Sequence, residues 1–155
     1  MKALRNQGGG TDVTTVTASA PAHLNGSASA TTTIQIGQKV TVDQLQTGTV
    51  TGKGGSAVFT PATTFTVGSD VNIRTHVALS GTTTPVSNAA ITQQIIAPNN
   101  VVVATLNSTT DATGYAIAKW RSRNMVKGTY TVKVINVTNG LSWDGIIKTT
   151  TFTLN

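Results

Sequence analysis

The chain contains no cysteine and no glutamate in its 155 residues. Without cysteine there is no disulfide framework, no thiolate metal ligand and no thiol nucleophile. Without glutamate, carboxylates come only from Asp12, Asp43, Asp70, Asp111 and Asp144. Most of these stand beside Gly, Ser or Thr, as turn residues do, and no two are spaced for paired acid–base work. Calcium requires roughly six to eight oxygen ligands. No Asp-x-Asp-x-Asp cluster offers them, and Asp111 and Asp144 are the two loop aspartates that could meet at one end of a fold. Neither His23 nor His76 has a second histidine at metal-ligand spacing. The stretch Gly52-Lys53-Gly54-Gly55-Ser56 lacks the full GxxxxGK[ST] pattern of a phosphate loop. No uninterrupted apolar run approaches the roughly 18 residues of a membrane-spanning helix. These absences predict a protein that is not an enzyme, with no cofactor, no metal and no transmembrane segment.

Charge is scarce as well. Charged residues make up 10% of the chain and aromatics 5%, so solubility must come from hydroxyls and amides and the core from Val, Ile, Leu and Ala. Threonine fills about a fifth of the positions, and β-branched residues favour extended backbone over helix. Such a composition points to an extracellular or cell-surface protein. The net charge of +6 reflects few acids rather than many bases. The bases are scattered apart from Lys119, Arg121, Arg123 and Lys127, which argues against a nucleic-acid partner.

Residues 1–37 read as a linker followed by an extended arm. Gly8, Gly9 and Gly10 resist fixed structure. The β-prone piece at residues 13–17 is either part of a flexible arm or a strand in need of another sheet. Residues 31–45, with Ile34, Ile36, Val40 and Val42 alternating, predict two short strands or one bent strand. Four glycines within residues 48–56 predict a loop or a weakened hairpin, and Pro61 an edge. Residues 71–79 are the clearest strand: Val71, Ile73, Thr75, Val77 and Leu79 on a core face, Asn72, Arg74 and His76 on a solvent face. Further strands are predicted at 89–96, 101–106, 115–120, 129–134 and 146–154, with Asn139-Gly140 as a hairpin turn. Short strands punctuated by turns about every ten residues predict an all-β, two-sheet sandwich over residues 38–155.

Several motifs in order carry a family resemblance: Pro85-Val86, Ala89-Ala90, Thr110-Asp111-Ala112-Thr113-Gly114, Trp120, Gly128-Thr129-Tyr130-Thr131-Val132, Asn136-Val137-Thr138 and Trp143-Asp144-Gly145. The chain resembles, over residues 40–155, the immunoglobulin-like or fibronectin III-like modules of secreted bacterial and archaeal proteins. The resemblance implies an immunoglobulin-like Greek-key sandwich that serves as a spacer or accessory domain. Gly114 is expected in a left-handed turn, Trp120 between the sheets and Tyr130 in a tyrosine corner. Where those modules carry Asp-Leu, this chain has Gln44-Leu45. Strand alternation turns Trp120 inward and Lys119 and Arg121 outward. Trp143, expected at a hairpin tip, joins Lys119, Arg121 and Arg123 as a possible surface contact, with polysaccharide as one partner. Other subunits or neighbouring domains are the other expected partners. The β-prone arm suggests a homo-oligomer, such as a filament or pilus, built by donating a strand to the next subunit.

Overall fold

The computed structural model describes residues 12–19, 29–52 and 57–155, the first two of these as far as Ile36 only by their strands and pairing. Twelve strands follow in chain order: β1 Asp12–Ser19, β2 Ser29–Ile36, β3 Lys39–Thr51, β4 Val58–Pro61, β5 Thr64–Phe65, β6 Asp70–Leu79, β7 Ala90–Ile96, β8 Val102–Thr109, β9 Tyr115–Arg121, β10 Gly128–Thr138, β11 Ser142–Trp143 and β12 Thr149–Leu154. Among the described residues there is no helix.

Strands β3 to β12 form a sandwich. One sheet runs β11-β3-β6-β9, with β4 also paired to β3; the other runs β5-β12-β10-β7-β8. The chain changes sheet between β4 and β5, β5 and β6, β6 and β7, β8 and β9, β9 and β10, β10 and β11, and β11 and β12, the crossing connections of a Greek-key sandwich. Strand β12 packs against β3 at one lateral side and β8 against β9 at the other. Strands β1 and β2 form a separate two-stranded antiparallel sheet, in register from Asp12 opposite Ile36 to Ser19 opposite Ser29.

The inward faces follow alternation. Val71, Ile73 and Val77 of β6, Val132 and Val134 of β10, and Ile91 and Ile95 of β7 are buried. At one end of this core lie four aromatic rings. Phe152 stacks on Tyr130 at 5.4 Å between centroids and meets the edges of Phe65 at 5.7 Å and Trp120 at 6.0 Å. Trp120 is 5.7 Å from Tyr130, so the cluster joins the two sheets. The Tyr130 hydroxyl donates to the Val126 carbonyl at 2.8 Å, four residues upstream. Burial raises the Tyr130 pKa above the ordinary value, partly offset by that bond.

Three elements depart from the sequence reading, and one alternative is decided. Of the loop or weakened hairpin expected at residues 48–56, the hairpin is formed: β3 runs on through Gly48 to Thr51 and pairs antiparallel with β4. Gly48 is needed because the Thr60 carbonyl oxygen and, at 2.6 Å, the Phe59 ring stand where a Cβ would have to go. The polar face of β6 is not a solvent face throughout, since Asn72 and His76 are buried there. Asn139-Gly140 does not close a simple hairpin: the chain passes into the other sheet as β11, parallel to the start of β3. Trp143 is therefore in an edge strand, half-buried against the core, and not at an exposed tip. The last strand begins at Thr149, leaving Ile146 and Ile147 exposed.

Candidate functional site

The polar side chains that converge lie on the outer face of the β3–β6–β9 sheet. They are brought together by a β-bulge. Val42 pairs with Val77 and Gln44 with His76, so Asp43 is one residue more than the partner strand can match. A bulge resets the alternation. Val40 and Val42 point inward before it, Leu45 and Thr47 after it, and Asp43 and Gln44 both remain outside.

Asp43 Oδ1 lies 2.6 Å from His76 Nδ1, the carboxylate partly exposed and the imidazole buried. A carbonyl only accepts, so Nε2 carries its hydrogen toward the Thr113 carbonyl, 3.1 Å away. The Tyr115 ring covers the imidazole at 4.4 Å and sends its hydroxyl to Gln44 Oε1 at 3.2 Å. Next along β6, the Arg74 guanidinium is held between two rings, 4.3 Å from Phe59 and 5.1 Å from Tyr115, a cation–π arrangement. Its Nη2 donates to Gln46 Oε1 at 2.6 Å.

An Asp–His pair can activate a nucleophile only if the second ring nitrogen faces a hydroxyl or thiol. Here that nitrogen is tied to the main chain of the β8–β9 turn, so the pair links β3, β6 and that turn. The turn is itself built by Asp111. Its Oδ1 accepts from Thr113 Oγ1 at 2.6 Å, from the Thr113 N–H at 2.8 Å and from the Tyr115 N–H at 3.1 Å. The Thr113 hydroxyl bond is the largest cause holding the Asp111 carboxyl below its ordinary range; the two N–H bonds and the nearby His76 act the same way, against desolvation.

A depressed folded-state pKa contributes stability above the unfolded value, and that contribution disappears as pH falls through the folded value. Asp111→Asn is therefore expected to be less stable than wild type at pH 7, with the gap narrowing below about pH 4. Urea unfolding midpoints across pH 2–7 check this; a gap that does not change with pH would contradict it.

The structure separates the surface residues expected to act together. Lys119 pairs with Asp70, Nζ to Oδ2 at 2.7 Å, and this bond is the main cause of a lowered Asp70 pKa. Arg121 and Arg123 are exposed on and after β9. Trp143 lies across the sheet on β11, and its indole N–H is buried with no hydrogen-bond partner. Gly114 has φ +78° and sits against the His76 ring. Asp144 turns its Oδ1 to the Ile146 N–H at 2.9 Å, and among the described residues no three metal-ligating side chains come together.

Sequence reasoning missed the Asp43–His76 pair. One signal for it was present: inward apolar residues at 40, 42 and 45 break strict alternation by one position. The sandwiching of Arg74 had no local signal, because Phe59 and Tyr115 come from different strands. No protein-family model matches the chain, and no curated protein matches it.

Proposed function

We propose that the chain is a non-catalytic structural module of the immunoglobulin-like class, working outside the cell or at its surface. The observation that carries this reading is how its polar side chains are used. His76, Asp43, Asp111 and Thr113 are spent on holding a bulge and a turn. Membership of the class is supported by the strand order, with β3-β6-β9 facing β12-β10-β7, and by the tyrosine hydroxyl bonded to the main chain four residues upstream. The low charge and high threonine content support an exported location. Turnover of peptide or glycan substrates by the purified protein would end this reading.

A second reading, a subunit of an extracellular filament or pilus, is favoured by β1 and β2. A two-stranded sheet is marginal alone in water and gains from a further strand. The eight-residue pairing of β1 with β2 thus offers material for contact between subunits. Electron microscopy of the concentrated full chain tests it. Linear assemblies are expected, and monomeric particles at every concentration would leave the protein a monomeric spacer.

A further inference from the structure

We propose that the open edge of β8 accepts the β1–β2 sheet of a second copy of this chain, which adds to the sandwich through β1. This rests on the assembling reading above and supplies its acceptor surface.

Sheet edges are templates for strand addition, and folds blunt them with charge, proline, bulges or short covering strands. Among the described residues, three of the four lateral edges are blunted. The β3 edge carries the Asp43 bulge and is covered at its ends by β11 and β4. The β12 edge is covered at Thr153 and Leu154 by β5. The β9 edge presents Lys119 and Arg121. The β8 edge has a bulge at Val103, close to its start, but from Ala104 to Thr109 it carries no charge, no proline and, among the described residues, no covering strand. Val101 just before it and Val102 at its start are 54% and 46% exposed.

The backbone direction of this edge follows from its ladder. The Thr110 N–H donates to the Ala89 carbonyl, in register with Thr109 opposite Ala90. Hydrogen-bonding residues alternate in an antiparallel pair. Ala104, Leu106 and Ser108 therefore bond to β7, while Thr105 and Asn107 aim their N–H and C=O groups away from the sheet.

The occupant is identified by length, charge and reach. Strands β1 and β2 have eight residues each, equal to β8, and their only charged residue is Asp12. They pair with each other and, among the described residues, with no third strand. The chain's own β8 is out of reach. Gly37-Gln38 joins β2 to β3, and two extended residues span about 7 Å. Strand β3 packs on β12, from which β8 is three strand spacings away across β10 and β7, about 14 Å. Donor and acceptor are different surfaces, so the contact is head-to-tail and extends into an open chain of subunits.

Complementation between two full-length variants tests this. Thr105→Pro with Asn107→Pro removes two outward N–H groups from β8 and no main-chain bond to β7, at the cost of one exposed side-chain bond, Thr92 Oγ1 to Asn107 Oδ1. Thr15→Pro with Val16→Pro removes one N–H from each edge of β1. Sedimentation velocity should show a concentration-dependent ladder for wild type, monomers for each variant alone, and dimers but nothing larger when the variants are mixed. A ladder that survives the β8 prolines would overturn β8 as acceptor while leaving assembly intact. A ladder lost with the β8 prolines but kept with the β1 prolines would mean that β8 pairs with itself, which overturns the donor. Wild type that stays monomeric throughout defeats both this inference and the assembling reading. Amide exchange on unmodified protein is independent of how the variants fold: the Thr105 and Asn107 N–H groups should become protected as concentration rises, and continued fast exchange in the assembled state counts against the contact.

Discussion

Phe152→Ala is expected to lower the unfolding free energy by about 3–5 kcal/mol, the usual range for truncating a buried phenylalanine. Phe152 is 1% exposed and has a ring on each of three sides: Tyr130 stacked, Phe65 and Trp120 edge-on. Tyr130 lies directly opposite it in the β10–β12 register, and Phe65 lies on β5 at the end of β12. These neighbours are anchored separately, Tyr130 by its bond to Val126 and Phe65 by the parallel pairing of β5. They cannot readily collapse into the space, so the cavity cost adds to the lost transfer energy. Domains are stable by only about 5–15 kcal/mol, so the variant should lose a large share of the total. Guanidinium unfolding followed by tryptophan fluorescence reads the change, because Trp120 borders the cavity. Phe152→Leu should lose distinctly less. A loss below about 1 kcal/mol for the alanine variant would mean that the four rings do not form one packed unit.

Much of this core could be read from the sequence, because each strand with one buried face writes its own pattern. The alternation of Val71, Ile73, Thr75 and Val77 holds in the structure, as does that of Tyr130, Val132 and Val134. The failures share a cause: they depend on residues distant in the chain. Glycines at residues 48–56 left a loop and a weakened hairpin both open, and the choice of the hairpin lies in β4, whose Thr60 carbonyl and Phe59 ring occupy the place of a side chain at Gly48. Asn139-Gly140 suggested a hairpin, but where the chain goes after the turn is decided by the unpaired start of β3, about a hundred residues earlier. The closing strand expected from residue 146 begins only at Thr149, and Ile146 and Ile147 are exposed. His76 was placed correctly on the outer face by alternation. Its burial comes from Tyr115 and the β8–β9 turn, which no pattern around residue 76 announces.

That turn supplies the second large effect. Gly114→Ala should cost about 2–5 kcal/mol, from a left-handed backbone penalty of about 1–2 and overpacking of about 1–3. The residue has φ +78° and its carbonyl accepts from the Val77 N–H at 2.9 Å, so the backbone is pinned to β6 while in the left-handed region. An added Cβ would stand 2.8 Å from the Val77 carbonyl oxygen, 2.9 Å from His76 Nε2 and 2.9 Å from Pro85 Cβ. Two of those three neighbours cannot swing aside, one being main chain and the other a proline ring. The third can move only by giving up its bond to Thr113, which ties the turn to the Asp43–His76 pair. Gly68→Ala is the matched control: its φ is +90°, but nothing lies within 4 Å of the new Cβ. It should lose only the conformational share, about 1–2 kcal/mol. The difference between the two variants, read from urea unfolding at pH 7, isolates the contact of the turn with β6. Equal losses would show that Gly114 is needed only for its backbone angle and that the turn does not press on His76.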